Sequence, residues 1–156
     1  MTDTKDNADV LIPPPVAWAL AFLIGLWLNW LHPLPFVPAG LPYAWIGSAV
    51  IAVGVALGLW AVVRFRKAGT RPEPFKPTTA IVDNGPFRFT RNPIYMGMFI
   101  GQIGLAIAFD SLWILAMLVP FFFTLRYGVV AREEAYLERK FGGTYLDYKS
   151  RTRRWV

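Results

Sequence analysis

The amino-acid sequence predicts an all-α integral membrane protein: a helical bundle of about four transmembrane helices plus a cytoplasmic C-terminal helical segment. Of the 156 residues, 55% are hydrophobic and 16% are aromatic, which is more apolar than a soluble domain of this size usually is. Four long apolar stretches follow one another along the chain. Most of the Lys and Arg residues lie in two segments, one between stretches and one after the last. This pattern is typical of a polytopic membrane protein.

The chain begins with a polar segment that carries three aspartates and lacks the basic start and cleavage site of a secretory signal. Residues 1–12 are therefore expected to form a disordered N-terminal tail. Residues 13–156 are short enough to be a single membrane domain.

The four apolar stretches differ in length. They run from about Val16 to Leu31, Tyr43 to Val63, Ile94 to Phe109 and Leu112 to Ala131. A spanning helix needs about 20 apolar residues, with about 17 as the lower limit. The second and fourth stretches meet this length, whereas the first and third are borderline, and either could be a buried or re-entrant helix instead.

Local signals mark the contacts and ends of these helices. Glycines four residues apart in the second and third stretches permit close approach of two helices in lipid; they are Gly54 with Gly58 and Gly97 with Gly101. The third and fourth stretches are joined by Asp110 and Ser111, either of which can cap the following helix.

The distribution of basic residues predicts the orientation. Seven Lys and Arg residues lie between Arg64 and Pro93 and seven more follow the fourth stretch, whereas residues 32–42 and the Asp110–Ser111 connection contain no Lys or Arg. The positive-inside rule places both basic segments and both termini in the cytoplasm. Because topology accounts for these charges, no nucleic-acid partner is expected.

Composition also excludes several kinds of site. The chain has no cysteine and one histidine, His32. Disulfides, thiolate metal sites and a cysteine nucleophile are excluded, and no metal site is expected.

Two polar patches on the basic side are candidates for chemistry, and the first precedes the third helix. Asp83-Asn84-Gly85-Pro86 is a turn signal, and Pro93 suits the first helical position with Asn92 as its cap. Arg91 beside this helix N-terminus would suit a carboxylate or phosphate. Alternatively, Arg88 and Arg91 only anchor the protein at lipid headgroups.

The second patch begins with Arg126 near the end of the fourth stretch. Glu133 follows seven residues later, at nearly the same angular position on a helix. Glu133 or Glu134 could pair with Arg91, Arg126 or Arg132, either within a binding site or as an ion-pair network that only fixes the helix end. A glycine pair then ends the helix, and Tyr145 and Tyr148 lie on a further short segment.

These two patches carry a family resemblance. The run from Gly85 to Tyr95, GPFRFTRNPIY, resembles the G-x-Y/F-x-x-x-R-H/N-P-x-Y signature of the isoprenylcysteine carboxyl methyltransferase family, to which small membrane phospholipid methyltransferases are related. The run from Arg132 to Tyr148 is similar to that family's R-E-E-x-x-L-x-x-x-F-G-x-x-Y-x-x-Y ending. Both motifs occur in the expected order, with a helical hairpin between them.

The resemblance implies an S-adenosylmethionine-dependent membrane methyltransferase whose cofactor-binding part covers residues 64–156. One wall of the cofactor site would consist of Arg91, Asn92, Pro93 and Tyr95, and the other of Glu133, Glu134, Tyr145 and Tyr148. Arg91, Glu133 and Glu134 are the expected catalytic residues. Arg91 would hold the cofactor's carboxylate, and a glutamate would take a proton if the acceptor is an amine or thiol. A lipophilic small molecule or lipid would enter from the bilayer.

One residue departs from the eukaryotic pattern, in which histidine stands at the position of Asn92. Asparagine does not titrate, so proton abstraction there is in doubt, but bacterial-type relatives also carry asparagine. A bacterial inner-membrane location is expected accordingly. Two alternatives remain, an NADPH-dependent enzyme similar to membrane sterol reductases and a small membrane protein without enzymatic activity. The methyl acceptor is not specified by the sequence.

Overall fold

The protein is a bundle of helices that run back and forth between two ends of the molecule. The computed structural model describes residues 6–155, and within that range it contains helices and no strand. The bundle consists of α1 (Pro14–Leu31), α2 (Tyr43–Lys67), α3 (Pro93–Ala108) and a long helical stretch over Leu112–Phe141. α1, α2 and the long stretch are long and apolar enough to cross a membrane, whereas α3 has only 16 residues. The predicted all-α membrane bundle is confirmed.

The long stretch is not one regular α-helix. It comprises α4 (Leu112–Ala116), α5 (Leu118–Leu125), a π-helical segment (Arg126–Val130) and α6 (Ala131–Phe141). The helix therefore continues well beyond Ala131, where the fourth apolar stretch was predicted to end. The wider turn of a π-helix shifts the angular positions of the residues after it. The shared face inferred for Arg126 and Glu133 assumed regular α-helical geometry and does not apply.

The capping and turn residues in the sequence lie at helix ends, but Asn92 does not act as a cap. Pro93 is the first residue of α3, as predicted, but the Asn92 side chain makes no capping hydrogen bond. Its Nδ2 instead donates to the carbonyl of Arg154 (2.8 Å). Ser111 caps α4 by accepting from the Ile114 N–H. Gly142, with φ +51°, separates α6 from α7 (Gly143–Arg151).

α2 and α3 pack through the predicted glycines. A Cβ added to Gly54 would lie 2.6 Å from the carbonyl oxygen of Gly97, and one added to Gly97 would lie 2.6 Å from that of Gly54. Contacts this short are possible only without side chains, so the two backbones touch directly. This contact fixes where α3 begins relative to the end of α2.

One end of the molecule carries most of the charged residues and is called the polar end below. It comprises the end of α2, residues 68–92, α6, α7 and residues 152–155. At the opposite end, Asp110 accepts hydrogen bonds from the N–H groups of Phe36 and Val37 (2.8 Å each), which joins the two short connections there.

The N-terminal segment returns to the polar end. Residues 1–5 of the tail that the sequence predicted to be disordered lie outside the described part of the chain. In residues 6–12, the Leu11 N–H donates to the carbonyl of Gly128 (3.0 Å) and the Ala8 N–H to that of Pro74 (3.3 Å). Ala8 is buried.

Candidate active site at the polar end

Aromatic residues from three elements form the base of a pocket at the polar end. The ring of Phe65, near the end of α2, packs on that of Phe87, with centroids 4.8 Å apart. Phe87 belongs to the 3-10 turn Gly85–Arg88, which the Asp83–Pro86 turn signal anticipated. The Tyr148 hydroxyl donates to the Phe87 carbonyl (2.9 Å), and Tyr145 packs beside Tyr148. This cluster attaches α7 to the loop that precedes α3.

Burial raises the pKa of both tyrosine hydroxyls, Tyr145 and Tyr148, above the ordinary value for tyrosine. Both side chains are therefore neutral at physiological pH. They provide hydroxyl donors and aromatic surface but no negative charge.

Glu134 lies between two arginines. Its carboxylate is 3.1 Å from Nη2 of Arg91, and it accepts two hydrogen bonds from Arg154, at 3.0 Å from Nε and 2.6 Å from Nη2. The side chains of Glu134 and Arg91 are each only 9% exposed. The hydrogen bond to Glu134 raises the pKa of Arg154. Of the three arginines that the sequence offered as partners, Arg91, Arg126 and Arg132, it is therefore Arg91 that contacts Glu134.

Arg91 retains unused hydrogen-bonding capacity. Its Nε and Nη1 atoms are buried and have no hydrogen-bond partner among residues 6–155. A buried charged donor without a partner is costly, and Arg91 lines the pocket. The arrangement suits an anionic group that would accept a hydrogen bond from one of these donors.

Glu133 occupies different surroundings from its neighbour. Its Oε1 accepts a hydrogen bond from the Tyr95 hydroxyl (2.7 Å), and it forms no ion pair within the described residues. Neither Arg126 nor Arg132 pairs with it, and Arg132 instead donates to the carbonyl of Asp9 (2.9 Å). Glu133 is thus a carboxylate at the pocket wall that no described cation neutralises.

The pocket formed by these elements opens to solvent and contains about 860 Å³ of empty space, part of it open solvent. All eight residues that the resemblance assigned to the cofactor site line it: Arg91, Asn92, Pro93, Tyr95, Glu133, Glu134, Tyr145 and Tyr148. The structure thus brings together two motifs separated by about 40 residues. Their individual roles stay predictions.

Other residues contribute to the pocket without any signal in the sequence. Ala8 and the segment Arg71–Pro74 form part of the wall. The Asp6 carboxylate accepts hydrogen bonds from Lys140 (2.6 Å) and from the Tyr136 hydroxyl (2.8 Å), and Tyr136 also lines the pocket. The bond from Lys140 lowers the pKa of Asp6. The N-terminal segment therefore covers one side of a pocket that the sequence assigned to residues 64–156 alone.

Comparison with known proteins agrees with this arrangement. Residues 42–144, more than half of the chain, match the profile of the phospholipid methyltransferase family. The chain belongs to the phospholipid methyltransferase family. Membership confirms the resemblance carried by the two motifs.

The chain is also similar to the nickel-cobalt-cadmium resistance protein NccN of Alcaligenes xylosoxydans xylosoxydans, with 31% identity over 108 residues. The aligned region covers 69% of this chain, which spans about half the length of that relative. No solved structure matches the chain. The family assignment therefore rests on the match to the family profile.

Proposed function

We propose that this member of the phospholipid methyltransferase family is an S-adenosylmethionine-dependent enzyme that methylates a lipophilic acceptor. The observation that carries the proposal is Arg91, a buried arginine that lines the pocket with two donors unpaired among the described residues. S-adenosylmethionine carries a carboxylate, which would accept a hydrogen bond from one of these donors and lie close to the positive charge, so the residues present fit this cofactor.

The remaining residues of the pocket suit the rest of the cofactor. When bound, S-adenosylmethionine supplies a methyl group activated by a sulfonium centre. Tyr145 and Tyr148 are neutral aromatic residues, and aromatic faces attract cations such as a sulfonium. Holding two reactants in one oriented pocket contributes up to about 7–11 kcal/mol to such reactions.

The pocket also has an apolar side that suits a lipophilic acceptor. Ile94 of α3, Val130 of the π-helical segment and Leu137 of α6 line it, and all three belong to helices that continue into the bundle. An acceptor with an apolar tail would lie against them after entering from the bilayer. By the positive-inside rule, this end of the molecule faces the cytoplasm of a bacterial inner membrane.

Calorimetric titration of the detergent-purified protein with S-adenosylhomocysteine tests the proposal. Replacing Arg91 by alanine is expected to weaken binding by about tenfold or more, because hydrogen bonds to charged groups contribute about 1.5–3 kcal/mol each. Arg88→Ala is the matched control, since Arg88 lies in the same motif but is exposed.

Binding by the wild-type protein and by Arg88→Ala, with a loss in Arg91→Ala, would support the proposal. NADPH is titrated in parallel, because NADPH binding alone would favour a reductase. If folded wild-type protein bound neither ligand, the proposal would be wrong.

A further inference from the structure

The last described residues, 152–155, follow the end of α7 without helical structure and lie across the start of α3. The N–H of Arg91 donates to the carbonyl of Arg153 (2.9 Å). Asn92 Nδ2 and the Thr90 hydroxyl both donate to the carbonyl of Arg154, at 2.8 Å and 3.2 Å. Each polar residue that leads into α3 is therefore held by the C-terminal segment.

Trp155 anchors the end of this segment in the bundle. Its ring lies 5.8 Å from that of Phe99 in α3 and 5.5 Å from that of Phe122 in α5, measured between centroids. Aromatic pairs at this separation contribute about 0.5–1.5 kcal/mol each beyond the burial of their area. The backbone on either side of Arg154 is thus fixed without any contribution from the Arg154 side chain.

The Arg154 side chain instead acts on Glu134. It contacts both carboxylate oxygens, in the bidentate geometry that arginine prefers with carboxylates. Arg91 makes a single contact to the same carboxylate, through Nη2. Arg154 therefore makes two contacts with Glu134 and Arg91 makes one. Arg91 is also the arginine whose remaining donors have no partner among the described residues.

We propose that Arg154 is a positioning residue that keeps Arg91 available for an anionic ligand by occupying both oxygens of Glu134. If Arg154 were absent, Glu134 would be free to bind Arg91 in the bidentate manner, and it would then occupy one of the unpaired donors of Arg91 and neutralise its charge within the protein. This inference rests on the proposed function, because the carboxylate of S-adenosylhomocysteine is the ligand group concerned.

The test is a double-mutant cycle measured as S-adenosylhomocysteine affinity by calorimetry. Arg154→Ala is expected to weaken binding about tenfold in the wild-type background, within the range of coupling between contacting charges. In a Glu134→Gln background the same substitution is expected to change affinity less than twofold, since glutamine cannot form an ion pair with Arg91. In each background the affinity with Arg154 is compared with the affinity after Arg154→Ala. An effect of Glu134→Gln itself therefore cancels.

Arg153→Ala is the matched control. It removes a positive charge from the neighbouring residue, whose side chain is exposed, and it keeps the backbone carbonyl to which the Arg91 N–H donates. It should bind like the wild-type protein. Should Arg154→Ala fail to fold, Arg154→Lys takes its place. Lysine engages one oxygen at a time, so a loss of about two- to fivefold is expected, again only when Glu134 is present.

Each outcome decides the proposal. An unchanged affinity in Arg154→Ala, or an equal loss in both backgrounds, would show that Arg154 does not act through Glu134. Failure of the wild-type protein to bind S-adenosylhomocysteine would instead overturn the proposed function, and this inference with it.

Discussion

Glu133 and Glu134 are neighbours in the sequence, but their carboxylates have different partners. Glu134 is held by two arginines, which occupy both of its oxygens. Glu133 accepts one hydrogen bond from Tyr95 and has no cationic partner in the described chain. Proton transfer needs a carboxylate with a free lone pair near the reacting group. Of the two, Glu133 is therefore the better candidate for a general base.

This difference predicts that a substitution of Glu133 lowers kcat much more than it lowers the affinity for S-adenosylhomocysteine. Glu133→Gln is expected to lower kcat by about 100-fold or more, the usual contribution of a general base, while S-adenosylhomocysteine affinity stays within about threefold. The measurements are methyl transfer from labelled S-adenosylmethionine to a membrane lipid extract, and calorimetry. Glu138→Gln on the same helix is the control, because Glu138 pairs with Lys149 away from the pocket.

Two results would contradict this role for Glu133. An unchanged kcat would mean that the acceptor needs no base, as expected for a carboxylate. A weakened affinity with unchanged kcat would make Glu133 a cofactor ligand instead.

The position of α3 depends on its contact with α2. Gly54 faces the backbone of α3 so closely that an added Cβ would lie 2.6 Å from the Gly97 carbonyl oxygen and 2.7 Å from the Gly101 nitrogen. Gly58, one turn further along α2, would accept a Cβ with no heavy atom within 4 Å. Since α3 carries Tyr95 and begins next to Arg91, this contact also sets the geometry of the pocket.

The two glycines provide a matched pair of substitutions. Gly54→Ala is expected to destabilise the protein by about 1–3 kcal/mol, because the helices must separate to admit a methyl group. Gly58→Ala should be neutral or stabilising by up to about 1 kcal/mol, since alanine favours the helix. Thermal unfolding in one detergent measures both. An equal loss at the two positions would show that the close contact is not what limits stability.

Local signals in the sequence were sufficient to predict most helix ends. Pro93, Ser111 and Gly142 each mark an end or a beginning where the structure has one. These signals act within a few residues, through fixed backbone angles or a nearby hydrogen bond. Each of the four apolar stretches lies on a helix, and three of these helices are long and apolar enough to cross a membrane.

Features that depend on distant contacts were not predicted. Asn92 has the sequence of a helix cap, yet its side chain donates to Arg154, 62 residues away. Arg154 was counted only as a charge that sets topology, and Ala8 lay in a segment expected to be disordered. The π-helical segment after Leu125 has no distinguishing pattern either. In each case the partner that fixes the conformation lies outside the window that sequence patterns cover.

The eight expected site residues were found together because both motifs end at the same face of the bundle. Antiparallel packing of α2 and α3 brings the loop before Pro93 to the end where α6 and α7 lie. The family resemblance predicted which residues form the site, and the helical hairpin from α3 to α6 explains why they lie close together. The arrangement of charges within the site, especially the sharing of Glu134, required the structure.

The charge distribution of the whole molecule predicts its orientation in the membrane. Residues 64–93 and the chain after the fourth apolar stretch each hold seven Lys and Arg residues, and the connections at the opposite end hold none. Because the chain has no cysteine, a single introduced cysteine reports one location. Thr144, at the start of α7, and Ala39, in the opposite loop, are both exposed.

In intact spheroplasts, a membrane-impermeant maleimide is expected to label Ala39→Cys and not Thr144→Cys, because the positive-inside rule retains the basic segments in the cytoplasm. Both variants should be labelled after permeabilisation, which controls for accessibility. The reversed pattern would contradict the assigned orientation. It would also place the pocket outside the cell, away from a cytoplasmic supply of S-adenosylmethionine, so the same measurement tests a condition that the proposed function requires.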